Sequence, residues 1–135
     1  TQDVPVLGSS GLIRYVPFGP VTNLTSAENI EDSTPAYSPD GASIAFGRKF
    51  LDEARWSFGR QLWLMNADGT NQRQITQDGI YNHYDFAWSL DGQWLAYVRF
   101  DNASYTGLPE LWLCQANGSQ PIQLNYGGYS PQWLP

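Results

Sequence analysis

Residues 33–49 read Ser-Thr-Pro-Ala-Tyr-Ser-Pro-Asp-Gly-Ala-Ser-Ile-Ala-Phe-Gly-Arg-Lys, and residues 84–100 read Tyr-Asp-Phe-Ala-Trp-Ser-Leu-Asp-Gly-Gln-Trp-Leu-Ala-Tyr-Val-Arg-Phe. Tyr37 matches Trp88, Asp40-Gly41 matches Asp91-Gly92, Ile44-Ala45-Phe46 matches Leu95-Ala96-Tyr97, and Arg48 matches Arg99, each pair 51 positions apart. A fixed spacing over this many positions is an internal repeat, and a repeat decides the fold before any single element does.

The repeat continues downstream. Gln61 to Gly69 (Gln-Leu-Trp-Leu-Met-Asn-Ala-Asp-Gly) matches Glu110 to Gly118 (Glu-Leu-Trp-Leu-Cys-Gln-Ala-Asn-Gly), and each is followed by a polar stretch closing on Gln-Ile-Thr (74–76) or Gln-Leu-Asn (123–125). A worn third copy opens the chain: Val4 to Leu7, Leu12 to Val16, a turn over Pro17–Pro20, then Val21 to Thr25. Ser-Pro-Asp-Gly puts Pro where φ near −65° is wanted and Gly where a left-handed residue closes a hairpin. Between the turns, Ile44-Ala45-Phe46 and Leu62-Trp63-Leu64 are short apolar runs, the pattern of strands covered on both faces. Each unit therefore reads A strand, Asp-Gly turn, B strand, variable loop, C strand, turn, D strand, which is one blade of a β-propeller.

Composition agrees. The 135 residues carry 6 Trp, 8 Tyr and 6 Phe, with 13 Gly and 9 Pro spread between the apolar runs, as in an all-β chain rich in turns. The net charge of −6 argues against nucleic acid, which needs a basic face. No apolar run has the length of a membrane helix. Cys114 is the single cysteine and counterpart of Met65, so it reads as a small buried hydrophobe rather than half of a disulfide.

Ser38-Pro39-Asp40-Gly41 followed by Ile44-Ala45-Phe46, then Leu62-Trp63-Leu64-Met65-Asn66-Ala67-Asp68-Gly69-Thr70 and Ile75-Thr76, resembles the TolB-type propeller repeat, a relative of WD40 repeats. The resemblance implies a non-catalytic binding or scaffold propeller working outside the cytoplasm, in the periplasm or extracellularly. In that family the propeller helps link envelope proteins, including a peptidoglycan-associated lipoprotein. The same repeat occurs in propellers of prolyl-oligopeptidase-like enzymes and in some polysaccharide lyases, so an enzyme-associated propeller and a carbohydrate-binding one are the alternatives.

Residues 1–135 are expected to form a single propeller module. Blade one would comprise 4–25 plus an A strand over 129–134, blade two 34–76, and blade three 85–124. Three blades fall short of the 4 to 8 of a closed ring, so the expected assembly is a homodimer of six blades in which each carboxy-terminal strand completes the partner's first blade. Half of a longer chain is the other possibility.

The D-to-A and B-to-C loops of such a fold share one face, and that face varies between blades. The loops Lys49–Arg60, Asp78–Asp85 and Asp101–Pro109 bring Arg48, Trp56, Phe58, Tyr81, His83, Tyr84, Arg99 and Tyr105 there, and Arg with Tyr or Trp is the composition of interface hot spots. Arg48 and Arg99 recur with the repeat, so pairing with blade carboxylates such as Asp85 competes with partner contact. His83, the one histidine, reads as a surface loop residue. A Gly-x-Ser-x-Gly elbow, a second histidine for a triad or metal site, and a phosphate-binding glycine loop are all missing, so no enzyme chemistry, metal or cofactor is expected.

Overall fold

In the computed structural model of the chain, residues 2–7, 13–18, 22–104 and 107–135 are described. Ten strands follow in order: β1 (Gln2–Leu7), β2 (Ile13–Phe18), β3 (Ile30–Tyr37), β4 (Ser43–Phe50), β5 (Gln61–Asn66), β6 (Arg73–Gln74), β7 (Tyr81–Trp88), β8 (Trp94–Asp101), β9 (Glu110–Gln115) and β10 (Ile122–Tyr126). They make an antiparallel hairpin, β1–β2, and two four-stranded antiparallel sheets in sequential order, β3–β4–β5–β6 and β7–β8–β9–β10. The chain is all-β, and its two complete sheets are propeller blades.

The Asp-Gly turns work by side chain as well as by glycine. Asp40 Oδ1 accepts from Ser38 Oγ (2.6 Å) and from the Ala42 amide (3.0 Å), while Ser38 Oγ accepts the Ser43 amide at 3.0 Å. The same net recurs at Asp91 with Ser89, Gln93 and Trp94, at 2.6, 3.0 and 2.9 Å. Gly41 and Gly92 take φ of 71° and 70°, the left-handed region that a Cβ disfavours. Leu90 in place of Pro39 leaves the turn unchanged, because the serine, aspartate and glycine define it.

Successive residues of a strand face opposite sides of the sheet, so the continuous apolar runs feed two different layers. Ala45, Leu62 and Leu64 point towards blade three and meet Phe86, Leu95, Tyr97 and Cys114 in the main core, with Ile75 and Trp112 at its margin. Ile44, Phe46 and Met65 point the other way and pack with Trp63 and Leu24. One blade-to-blade contact is repeated as well. A Cβ on Gly69 would lie 3.0 Å from the Leu24 carbonyl oxygen, and one on Gly118 would lie 2.5 Å from Ile75 Cγ2. In both places an apolar residue from the segment before an A strand, Leu24 or Ile75, presses onto the C–D turn of the sheet that follows.

The sheets depart from the sequence expectation at their edges. The A strands begin at Ile30 and Tyr81, four residues ahead of the expected 34 and 85. A bulge hides their first halves: the register shifts between Ser33 and Ala36 and between Tyr84 and Ala87, around Thr34 and Asp85 with φ of 51° and 54°, so the alternation is broken mid-strand. The D strand β6 stops at Gln74, and Thr76 answers the Leu62 amide with its hydroxyl at 2.9 Å instead. In the opening segment β2 runs on through Pro17 and Phe18, paired with Asp3 and Gln2, where a turn was expected. A two-stranded ribbon leaves each strand a free edge, which tolerates the missing proline N–H. Residues 22–25 form no strand.

Candidate functional site

The loop between β4 and β5 lies against the connection between β6 and β7. The Gly59 amide donates to the Gly79 carbonyl (3.0 Å), and Gln61 Nε2 donates to the Asp78 carbonyl (3.1 Å). The loop after β8 joins them: the Asn102 amide donates to the Ile80 carbonyl (2.9 Å), and Asn102 Nδ2 donates to the Phe58 carbonyl (2.8 Å). The three loops therefore form one adjoining surface. Backbone bonds between loops fix that face as a surface without strand geometry.

The β4–β5 loop supplies exposed aromatic rings to the face. Trp56 and Phe58 meet edge to face at 5.0 Å between ring centroids and remain 49% and 47% exposed. Lys49 Nζ stands 5.0 Å from the Trp56 ring, so the indole is held between a cation and a second aromatic ring. Arg55 lies over Phe50 at 4.2 Å and pairs with Asp52. Leu51 and Ile80 are also about half exposed. Both were missed in the sequence, although each stands in one of the loops assigned to the face.

The two repeat arginines lie elsewhere. Arg48 is 5% exposed and grips Asp32 with two bonds, Nε to Oδ1 at 2.8 Å and a terminal nitrogen to Oδ2 at 2.9 Å, with Gln72 Oε1 at 3.0 Å. Its guanidinium covers Trp63 at 4.6 Å and Phe46 at 5.2 Å. Arg99 pairs with Glu110 (2.5 Å) and Asp78 (3.0 Å) and is stacked between Tyr81 (3.9 Å) and Trp112 (4.1 Å). Pairing with carboxylates of the blades is thus what these arginines do. The partners are Asp32, Glu110 and Asp78 and not Asp85, whose Oδ2 accepts the Ser130 amide at 3.0 Å. These guanidinium groups are committed to carboxylates of the blades and stitch strands together.

His83 corrects the sequence reading most sharply. It sits in β7, 1% exposed, not in a surface loop. Its Nδ1–H donates to the Arg60 carbonyl at 2.8 Å, while Nε2 is buried with no partner. Burial pushes its pKa down to about 4, against the Arg60 carbonyl bond, which favours the charged form. The imidazole is therefore neutral at neutral pH and sealed from any substrate. Tyr81 and Tyr84 are half-buried residues of β7, and Tyr105 lies outside the described residues. Burial likewise pushes the Cys114 thiol up to about 11, leaving it unreactive in the core.

Two clefts flank the loop face. One of about 380 Å³ runs between Phe50, Arg55, Ser57 and Gln74, and one of about 430 Å³ lies between the blades, bounded by Asp78, Arg99, Trp112 and Ile75. In the first, Arg55 is paired with Asp52 beside it; in the second, Arg99 is paired with Asp78.

Comparison with known proteins agrees with this architecture. No family model matches the chain. It is 35% identical over 72 residues to dipeptidyl-peptidase 5 of Porphyromonas gingivalis, covering 53% of this chain and 10% of that protein. It is 30% identical over 78 residues to the Tol-Pal system protein TolB of Desulfosudis oleivorans, covering 56% of this chain and 17% of that protein. Among solved structures, the putative TolB from Agrobacterium tumefaciens superposes with a TM-score of 0.63 at 23% identity, over 92% of this chain and 43% of its own. The fold is that of a TolB-like β-propeller, and the chain spans less than half the length of each of these proteins.

Proposed function

We propose that this chain is a non-catalytic binding module whose loop face docks a protein partner, as a scaffold of the kind its TolB-like fold suggests. The observation that carries this reading is the exposed aromatic pair Trp56 and Phe58, with Leu51 and Ile80 half exposed in the same loops, held by hydrogen bonds between those loops. Large aromatic rings kept rigid at half exposure are the anchors that protein interfaces use. Of the residues assigned to the face from sequence, Trp56 and Phe58 are the contact residues. Arg48, Arg99 and His83 hold the blades beneath them, and Tyr81 and Tyr84 support from β7.

The reading extends to assembly and location. Each chain supplies three blades, two chains close a six-bladed ring, and the ring works in the periplasm or outside the cell, with an envelope lipoprotein as partner. Similarity to the Tol-Pal system protein TolB supports the last step. A second reading, the propeller of a larger peptidase, is favoured by the identity with dipeptidyl-peptidase 5.

The test is binding of the soluble domain of the peptidoglycan-associated lipoprotein from the same organism, followed by biolayer interferometry. Replacing both Trp56→Ala and Phe58→Ala should weaken binding by about 30-fold or more, the loss of at least one hot spot of about 2 kcal/mol. The unfolding midpoint should barely move, since both rings are half in solvent. Equal affinity of the double variant and the parent would refute the site, and absence of binding at roughly 100 μM would refute the partner.

A further inference from the structure

Arg48 and Arg99 are repeat equivalents, yet the charge around them differs. Arg99 meets two carboxylates, Glu110 and Asp78. Among the described residues Arg48 meets one, Asp32, through Nε and Nη2, and Nη2 also donates to Gln72 Oε1. The difference is written in the sequence. Gln61 holds the place of Glu110, 49 positions earlier, and Ala27 holds the place of Asp78, 51 positions earlier. The second equivalence is in register with the strands, since β3 starts at Ile30 and β7 at Tyr81, again 51 apart. Arg48 Nη1 is thereby left with no hydrogen-bond partner among the described residues. Unlike His83 Nε2, it is not sealed from solvent.

Arg48 lines the cleft of about 380 Å³ that flanks the loop face, together with Arg55, Ser57, Gln74 and Gln77, and no aspartate or glutamate lines it. In a chain of net charge −6 this is a cationic spot. Arg55 is stacked on Phe50 at 4.2 Å and held by Asp52 through Nε and Nη2, so its Nη1 is also unused among the described residues. Gln77, an exposed lining residue, adds an amide. Two guanidinium groups with spare N–H donors suit a carboxylate, the group that Asp78 delivers to Arg99 at 3.0 Å. The cleft beside Arg99 differs, because Asp78 already stands in its wall. Arg55 and Ser57 flank Trp56 in the chain, so the Arg48 cleft and the exposed aromatic pair share one loop.

We infer that this cleft receives an aspartate or glutamate side chain of the protein docked on Trp56 and Phe58, an inference that rests on the loop-face reading above. The incoming carboxylate accepts from Arg48 and Arg55 the N–H groups that Asp32 and Asp52 leave unused. The contact segment of the partner is then an acidic residue beside an apolar one, the apolar side chain on the aromatic pair and the carboxylate in the cleft.

Two measurements on the full chain test this. In the first, N-acetylaspartate amide is titrated into isotope-labelled protein and the arginine Nε–Hε signals are followed by NMR. Those of Arg48 and Arg55 should move and saturate, that of Arg99, already held by two carboxylates, should not, and N-acetylasparagine amide should move none. In the second, lipoprotein binding is compared for the parent, Gln77→Glu and Gln93→Glu, both substitutions falling on exposed residues. Gln77→Glu sets a fixed carboxylate at the cleft and should weaken binding by about tenfold or more. Gln93→Glu adds the same charge on the turn face and should change binding by less than about twofold. No shift at roughly 50 mM probe, or equal binding by Gln77→Glu and the parent, overturns the cleft. In the latter case a loss on Trp56→Ala with Phe58→Ala still upholds the loop face. No lipoprotein binding to any of the three overturns the partner proposed above, and the probe titration alone then decides the cleft.

Discussion

His83 should make this fold acid-sensitive well above the range where carboxylates titrate. The imidazole has an ordinary pKa of 6.5 when the chain is unfolded and about 4 when buried. Between these values the unfolded chain binds a proton that the folded chain refuses, so stability falls as pH falls. The loss begins near pH 6.5 and levels off below pH 4. At 1.36 kcal/mol per pH unit, the full effect is about 3 kcal/mol, with about 2 kcal/mol of it lost by pH 5. Asp40, Asp52, Asp68, Asp91 and Asp101 are held below their usual 3.8, chiefly by hydrogen bonds to Ser38, Arg55, Thr70, Ser89 and Ser104 in that order. Their contribution is present above 3.8 and disappears below it, outside the window of His83. Urea unfolding followed by tryptophan fluorescence at pH 7, 6 and 5 reads the slope. The His83→Asn variant keeps an N–H for the Arg60 carbonyl but does not titrate, so it should start less stable at pH 7 and then stay flat to pH 5. Equal losses in the two proteins, or a parent midpoint unchanged between pH 7 and 5, would refute the buried neutral imidazole.

Two further substitutions test the framework beneath the loop face. Arg48→Ala leaves Asp32 without its bidentate partner across the β3–β4 pair and should cost about 3 kcal/mol in denaturant unfolding, with Arg48→Lys recovering only part of it; a loss under about 0.5 kcal/mol would show the pair to be dispensable. Gly59→Ala would place a Cβ 2.0 Å from the Tyr81 carbonyl oxygen, so it should destabilise by about 2 kcal/mol or more and displace the β4–β5 loop. An unchanged midpoint and unchanged Trp56 fluorescence would contradict the close approach.

Much of the architecture is legible in the sequence because the repeat carries it twice. The Ser-x-Asp-Gly turns, the Ile44–Phe46 and Leu95–Tyr97 strands, and the partners β5 and β9 recur with the spacing that the two sheets require. The first halves of β3 and β7 are not legible. Asp32 and His83 lie inside them as polar residues, and a left-handed Thr34 or Asp85 breaks the alternation by which a strand is read. His83 looks like a loop residue for the same reason, and only the neighbouring blade's Arg60 carbonyl accounts for its burial. For the candidate site, the exposed pair Trp56 and Phe58 is visible in an aromatic-rich loop. The burial of Arg48 and Arg99 depends on which carboxylates the next strand delivers, and spacing alone cannot supply that.

The central claim is that the loop face, and not the Asp-Gly turn face, receives a protein partner. Hydrogen–deuterium exchange of the protein with and without the soluble lipoprotein domain tests it most directly. Protection confined to residues 51–60 and 78–82, with the turns at 38–42, 66–70 and 89–93 exchanging as in the free protein, is the predicted result. Protection of those turns, with the Trp56 loop unchanged, would contradict the account.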